Sequence, residues 1–221
     1  MGNTPCAHAV DSVLHQRVEI KVFILTLTGS QALLAQTRLP AIPIEQYTPE
    51  QVKAAQEFEL ARKRAPWGPF AMLMYSPELM NNARAMGDYL RYKSSIPNML
   101  SEFAILITAR EWSQDYEWSI HYPIAIKAGL KTELAEALKD GRRPEGMSED
   151  ETLIYDFTIE LQRYKRVSDV TFAKVEKRFG KKGAVDLAGI AGYYTFLAME
   201  MNTARHPAPV DGGIYLPRFP D

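Results

Sequence analysis

The sequence predicts an all-α protein, a single-domain helical bundle. Segments of helical length begin with a hydroxyl side chain that is followed by proline or by acidic residues. Glycines follow the last apolar residues of several of these segments, where helices commonly end. No segment alternates apolar and polar residues as a half-buried strand does. Short connections without a Gly/Ser-rich linker are typical of one compact bundle, so we expect one domain.

Start and stop signals place the helices in order along the chain. The start signals are three hydroxyl N-caps: Thr48, Ser76 and Ser148. Ser148 also opens a capping box with Glu151. The stop signals are glycines: Gly129, Gly141 and Gly180. They predict about eight helices, near residues 49–64, 77–92, 98–112, 115–128, 132–139, 149–165, 169–179 and 183–202.

Composition excludes several classes of function. The formal charge of −1 over 221 residues, with Lys and Arg scattered, provides no basic surface for a nucleic-acid partner. Cys6 is the only cysteine. An internal disulfide, a Cys-x-x-Cys redox pair and a cysteine zinc site are therefore excluded.

Both ends of the chain differ from the predicted bundle. Residues 1–36 carry basic residues before a short apolar run at 22–29 and then small residues, as secretory signals do, whereas Asp11 and Glu19 favour a disordered tail. As a signal, the segment would direct the protein to export or the periplasm; otherwise we expect a cytoplasmic protein. The run is shorter than the ~20 residues of a membrane span. The Pro-rich residues 206–221 predict an extended tail over the surface or a neighbouring subunit.

Ionisable residues on apolar helix faces point to a site. Glu102 shares its face with Ile105 and Leu106, and on the next helix Glu117 and His121 are one turn apart. Buried charges persist when they are paired, so these helices would bring a Glu102, Glu117 and His121 cluster together. We expect Glu117 to fix the histidine tautomer while the other ring nitrogen faces a pocket.

Two other interpretations of these residues stay open. A Glu and His pair at i, i+4 is most often a solvated surface pair, with a stabilisation of about 0.2 to 0.5 kcal/mol. Two carboxylates and one histidine could also bind iron, although carboxylate-bridged bundles use Glu-x-x-His at i+3 and more ligands than this chain offers.

Several motifs resemble the carboxymuconolactone decarboxylase family, which includes the AhpD-type alkyl hydroperoxidases. The core motifs are the stretches 101–110, 116–121 and 128–130, and similar flanking motifs extend the resemblance over residues 40–205. The resemblance implies an all-α domain over 40–205 in a homo-oligomer, a trimer or a multiple of it. In the peroxidase branch a Cys-x-x-Cys follows the glutamate, and here Gln114 and Glu117 occupy those positions.

Without thiols the chain resembles the decarboxylase branch. That resemblance implies a cofactor-independent carboxy-lyase of aromatic-compound breakdown, in which Glu102, Glu117 and His121 perform acid-base chemistry on a small carboxylated lactone or related organic acid. No metal or cofactor is implied. The alternatives are a non-catalytic oligomeric binding or structural protein and, less favoured, a hydroperoxidase-related activity.

Pocket residues can also be named from the sequence. We expect Arg110 to hold a substrate carboxylate, with Arg91 and Arg205 as alternatives, and Trp67, Tyr116 and Trp118 to form the walls. An enzyme requires a pocket of roughly a few hundred cubic ångströms beside His121. A structural role instead predicts a closed cluster in which every polar group is satisfied.

Overall fold

The computed structural model describes residues 37–209, 213 and 215–217 of the chain. Over these residues the protein contains eight α-helices and no strand, which confirms the all-α prediction. The predictions for residues 1–36 lie outside the described residues. The helices are α1 (Pro49–Arg62), α2 (Pro69–Leu73), α3 (Pro77–Tyr92), α4 (Asn98–Glu111), α5 (Asp115–Lys127), α6 (Thr132–Lys139), α7 (Glu149–Ile159) and α8 (Asp169–Ala204).

Two of the three predicted N-caps are confirmed. Thr48 and Ser148 each accept a hydrogen bond from the backbone N–H three residues on, and each receives the reciprocal capping-box bond. Ser76 is at the predicted N-cap of α3, but its side chain accepts no capping hydrogen bond. Pro77 therefore marks this helix start without help from the serine hydroxyl.

These caps give a stability prediction with an internal control. Ser148→Ala removes the acceptor for the Glu151 N–H, so the free energy of unfolding should fall by about 1 kcal/mol. Ser76→Ala removes no such bond and should change it by less than about 0.5 kcal/mol. Urea unfolding of both variants measures the difference, and equal losses would show that the Ser148 bond contributes nothing.

The C-terminal half differs from the sequence prediction at two helix boundaries. Helix α7 continues into a π-helical turn, Glu160–Tyr164, instead of remaining α-helical. The two helices predicted on either side of Gly180 are joined in α8, which contains a break at this glycine. Gly180 has φ 72°, a left-handed conformation that glycine adopts without steric cost. Helix α2 was not predicted, since five residues are too short to show a helical period.

Helix α4 forms the centre of the bundle. Every residue from Leu100 to Arg110 is buried, because α5, α7 and α8 pack around this helix. A helix that is enclosed on all sides buries whatever polar residues it carries. Glu102 is therefore internal. No helix in the described part of the chain is long and apolar enough to cross a membrane.

The described residues beyond α8 pack on the bundle. None of them is helical. Leu216 is buried, and its N–H donates a hydrogen bond of 2.9 Å to Asp115 Oδ1 at the start of α5. This contact lies on the domain itself, and the subunit-contact alternative for the tail stays a prediction.

Candidate active site

Glu102, Glu117 and His121 meet between α4 and α5. His121 Nδ1 is 2.6 Å from Glu102 Oε2, and His121 Nε2 is 3.3 Å from Glu117 Oε2. The three residues are only 1%, 3% and 4% exposed. The solvated-pair interpretation is therefore wrong, because packing of α5 on the central helix removes this face from water.

The start of α5 is fixed by Gln114. Its side-chain oxygen accepts a hydrogen bond from the Tyr116 N–H, and its amide nitrogen donates to Asn202 Oδ1 of α8 at 2.8 Å. This N-cap anchors the first turn of α5 to the last helix. Glu117 and His121 follow on the buried face, one above the other.

The cluster favours the ionised form of His121. Burial alone would lower the pKa of His121, but its hydrogen bonds with Glu102 and Glu117 outweigh burial and hold that pKa above its ordinary value. Burial would likewise raise the pKa of Glu102, yet the His121 bond and the nearby Arg91 charge keep it below its ordinary value. The two carboxyl groups therefore favour the protonated form of the ring between them.

The roles expected for the two ring nitrogens are corrected by these distances. We expected Glu117 to fix the tautomer and the opposite nitrogen to be free. Instead Glu102 makes the short contact to Nδ1, and Nε2 lies near Glu117. The reason is that the neighbouring helix can approach the ring end-on, whereas an i, i+4 partner reaches it only obliquely. His121 and Glu117 both line the pocket.

The pocket beside His121 has a volume of about 60 Å³. It is smaller than the few hundred cubic ångströms that we expected for an enzyme, because aromatic side chains fill much of the space between α2, α5 and α8. The lining residues are Arg62, Trp67, Pro69, Phe70, Arg91, Tyr116, Glu117, Ile120, His121, Tyr193, Tyr194 and Leu197.

Two of the three predicted aromatic walls line this pocket. Trp67 does, and so does Tyr116, whose hydroxyl rests against Gly68 so closely that a Cβ there would lie 2.2 Å away. Trp118 is fully buried and packs near Tyr122 instead. It directly follows Glu117 and so points about 100° away around the helix axis.

Arg110 is not among the lining residues, although it was the arginine first expected to bind substrate. It is buried near Glu111 and Asp140. Eight residues separate it from Glu102, which corresponds to about 12 Å along the helix axis. The last alternative, Arg205, is exposed at the end of α8 in a left-handed conformation.

Two other arginines line the pocket. Arg91 Nη2 is 3.3 Å from Glu102 Oε1, so Glu102 is paired with Arg91 as well as with His121. Arg62 Nε is 2.7 Å from Asp88 Oδ1, and its guanidinium lies over the Phe70 ring. Arg91 was among the alternatives. Arg62 was not predicted, because an arginine in the last turn of a helix is common and does not by itself indicate a site.

A pair of tyrosines from α8 completes the wall. The Tyr194 and His121 rings meet edge to face, with centroids 5.0 Å apart, and Tyr193 packs on Tyr194 in the same way. Burial raises the pKa of the Tyr194 hydroxyl well above its ordinary value, with Arg91 opposing the shift. Tyr194 is therefore a neutral phenol beside the His121 ring.

Comparisons with solved structures identify the fold. The chain matches an AhpD-core, uncharacterized peroxidase-related protein from Ralstonia eutropha JMP134 with a TM-score of 0.64 and 16% identity, over 79% of this chain and 93% of that one. A peroxidase-related protein from Silicibacter sp. TM1040 gives 0.62 and 14% over the same shares. The debrominase Bmp8 in complex with 2,3,4-tribromopyrrole gives 0.61 and 14%, again over 79% and 93%. No protein-family model and no curated protein matches the sequence.

These matches define the class of the protein as an AhpD-like helical fold. At such identities they establish the fold alone. Within that fold, this chain has a Glu–His–Glu centre. Its only cysteine, Cys6, lies outside the described residues.

Proposed function

We propose that the protein is a cofactor-independent acid-base enzyme, a carboxy-lyase acting on a small carboxylated lactone or related organic acid. The observation that supports it most strongly is the buried His121, paired with two carboxyl groups at a pocket that also contains Arg91. Because these carboxyl groups raise the pKa of His121, the ring suits proton donation to an anionic substrate. The Bmp8 complex is a solved example of this fold with a small ring compound bound.

The charges around the pocket favour an anion. The ion pairs form two separate groups. Arg91 and His121 are paired with Glu102 and Glu117, so this group is neutral when His121 is protonated. Arg62, which lines the pocket, shares Asp88 with Arg84, which leaves one positive charge in excess. A monoanionic substrate neutralises that charge in a partly buried place, where electrostatic attraction is stronger than in water.

The chemical step is a decarboxylation followed by protonation. The bond between the substrate carboxylate and its neighbouring carbon breaks, carbon dioxide leaves, and the electron pair stays on that carbon, conjugated with the lactone or acid carbonyl. His121 donates its Nε2 proton to the carbon, and solvent returns a proton to the ring. Glu102 orients the ring through Nδ1, while Glu117 accepts from Nε2 until substrate arrives.

Isotope incorporation tests this function directly. In D₂O, a panel of carboxylated five-membered lactones and conjugated acids is assayed for release of carbon dioxide. The expected product carries one deuterium on the carbon that lost the carboxylate. Glu117→Gln should retain the reaction at a reduced rate with a shifted pH profile. Release of no carbon dioxide from any member of the panel would reject the proposal.

A second candidate is a non-catalytic member of the same fold. It is favoured by the closed geometry of the cluster, in which both ring nitrogens of His121 have carboxylate partners and the pocket measures about 60 Å³. In that case His121 would be a structural counter-ion of Glu102. The same isotope experiment separates the two candidates, because a structural cluster incorporates no deuterium.

Thiol-dependent peroxide reduction is not expected of this chain. That chemistry requires a thiolate nucleophile and a resolving thiol, and Gln114 and Glu117 occupy the positions where the resemblance places them. Cys6→Ser should therefore leave any activity unchanged, as should a thiol-blocking reagent. The rate of the untreated wild type is the reference. A hydroperoxide-reducing activity that is present in the wild type and lost in Cys6→Ser would contradict this prediction.

A further inference from the structure

Tyr194 has an unusual environment for a buried tyrosine. It is 3% exposed, and it lines the pocket. Its hydroxyl makes no hydrogen bond to a described residue, and it is not among the fully buried polar atoms that lack a partner. The hydroxyl is therefore accessible from the pocket, where a ligand can accept a hydrogen bond from it.

The surroundings of this hydroxyl show what kind of ligand fits. Arg91 acts electrostatically on Tyr194 and lines the same pocket, with its side chain 22% exposed and Nη2 directed at Glu102. His121 lies edge to face with the Tyr194 ring. A neutral phenol O–H, a guanidinium and a protonated imidazole are donors, and Glu117, the carboxylate that lines the pocket beside them, is already paired with His121. The acceptor common to the three donors is an oxyanion.

We infer that Tyr194 is a further catalytic residue, which donates a hydrogen bond to the substrate oxyanion beside Arg91. This inference rests on the proposed function, because the oxyanion is the carboxylate or enolate oxygen of the proposed substrate. The hydroxyl remains a donor at neutral pH, since burial keeps it protonated. A donor preset in a partly dry pocket stabilises developing negative charge without reorganisation.

Tyr155 provides a control. It is a buried tyrosine of α7, and it is not among the residues that line the pocket. Loss of the Tyr155 hydroxyl therefore removes the same atom from a place outside the pocket.

The test measures binding of a probe, so it does not depend on turnover. Difluoroacetate, a small carboxylate with a ¹⁹F NMR signal, is titrated into the full-length wild type, Tyr194→Phe and Tyr155→Phe. The wild type should bind with a Kd below about 10 mM. Tyr194→Phe should raise the Kd about 10-fold, since a hydrogen bond to a charged group is lost. Tyr155→Phe should leave the Kd within about twofold.

A neutral analogue distinguishes this role from a structural one. Difluoroacetamide lacks the charge, so its weaker binding should change less than about twofold in Tyr194→Phe. Equal losses for both probes, equal Kd values for wild type and Tyr194→Phe, or no saturable binding to the wild type would each overturn the inference. If the Tyr194 effect is found but no acid is decarboxylated, the oxyanion site stands and the proposed function fails.

Discussion

His121→Ala is expected to lower turnover of the decarboxylated substrate by about 10² to 10⁴, the usual contribution of a positioned acid or base. The reason is that His121 lines the pocket, that Glu102 orients its ring, and that its raised pKa favours the protonated form. Single-turnover kinetics in D₂O would show the loss in the protonation step. Added imidazole, which fits the space left by the ring, should restore part of the rate.

The control for this experiment is His206, another histidine near the pocket. Its ring lies edge to face with Tyr116, with centroids 5.0 Å apart, and burial lowers its pKa, so it is neutral at pH 7. His206→Ala should cost less than about tenfold. A wild-type rate for His121→Ala, or an equal loss in both variants, would contradict the assignment of the proton donor.

Glu102→Gln is expected to lower the free energy of unfolding by about 3 to 5 kcal/mol, because it leaves His121 and Arg91 with fewer counter-charges inside the protein. The loss should depend on pH. The pKa of His121 is raised, so its contribution is complete below the ordinary value of 6.5 and declines as pH rises through the folded value. The pKa of Glu102 is lowered, so its contribution is complete above 4.5 and declines as pH falls through the folded value.

The difference between wild type and Glu102→Gln should therefore be largest between pH 4.5 and 6.5. Urea unfolding across pH 3 to 9 measures it. Glu176→Gln is the matched control: its partner Lys181 is 3.8 Å away in an exposed pair, so the change should be less than about 1 kcal/mol at every pH. A loss that is independent of pH would show that Glu102 contributes shape and not charge.

The fold and the central cluster could be predicted because both depend on local periodicity. Neighbouring residues determine the helix caps, the glycine stops and the position of Glu102 on an apolar helix face. Glu117 and His121 follow from a one-turn spacing. Periodicity cannot show which atoms face each other across two helices. The sequence analysis therefore left one ring nitrogen of His121 free, whereas both nitrogens lie near carboxylates.

The rest of the pocket depends on packing between distant segments. Arg62 lies at the end of α1, where the helix dipole alone favours a cation. Tyr194 lies in an apolar stretch of α8, whose pattern indicates core residues. Arg110 was chosen for its helix face, without regard to distance along the axis. Each of these errors concerns tertiary position, which a single helix pattern does not contain.

The N-cap of α5 has a consequence for redesign. Gln114 stands where the resemblance to the peroxidase branch places its first cysteine, and it also joins α5 to α8 through Asn202. Installing cysteines at Gln114 and Glu117 would remove this cross-link and the Nε2 partner of His121 at once. A thiol centre and the present charge centre therefore exclude each other at these two positions, and interconversion requires a new anchor for Asn202 as well as new sulfur atoms.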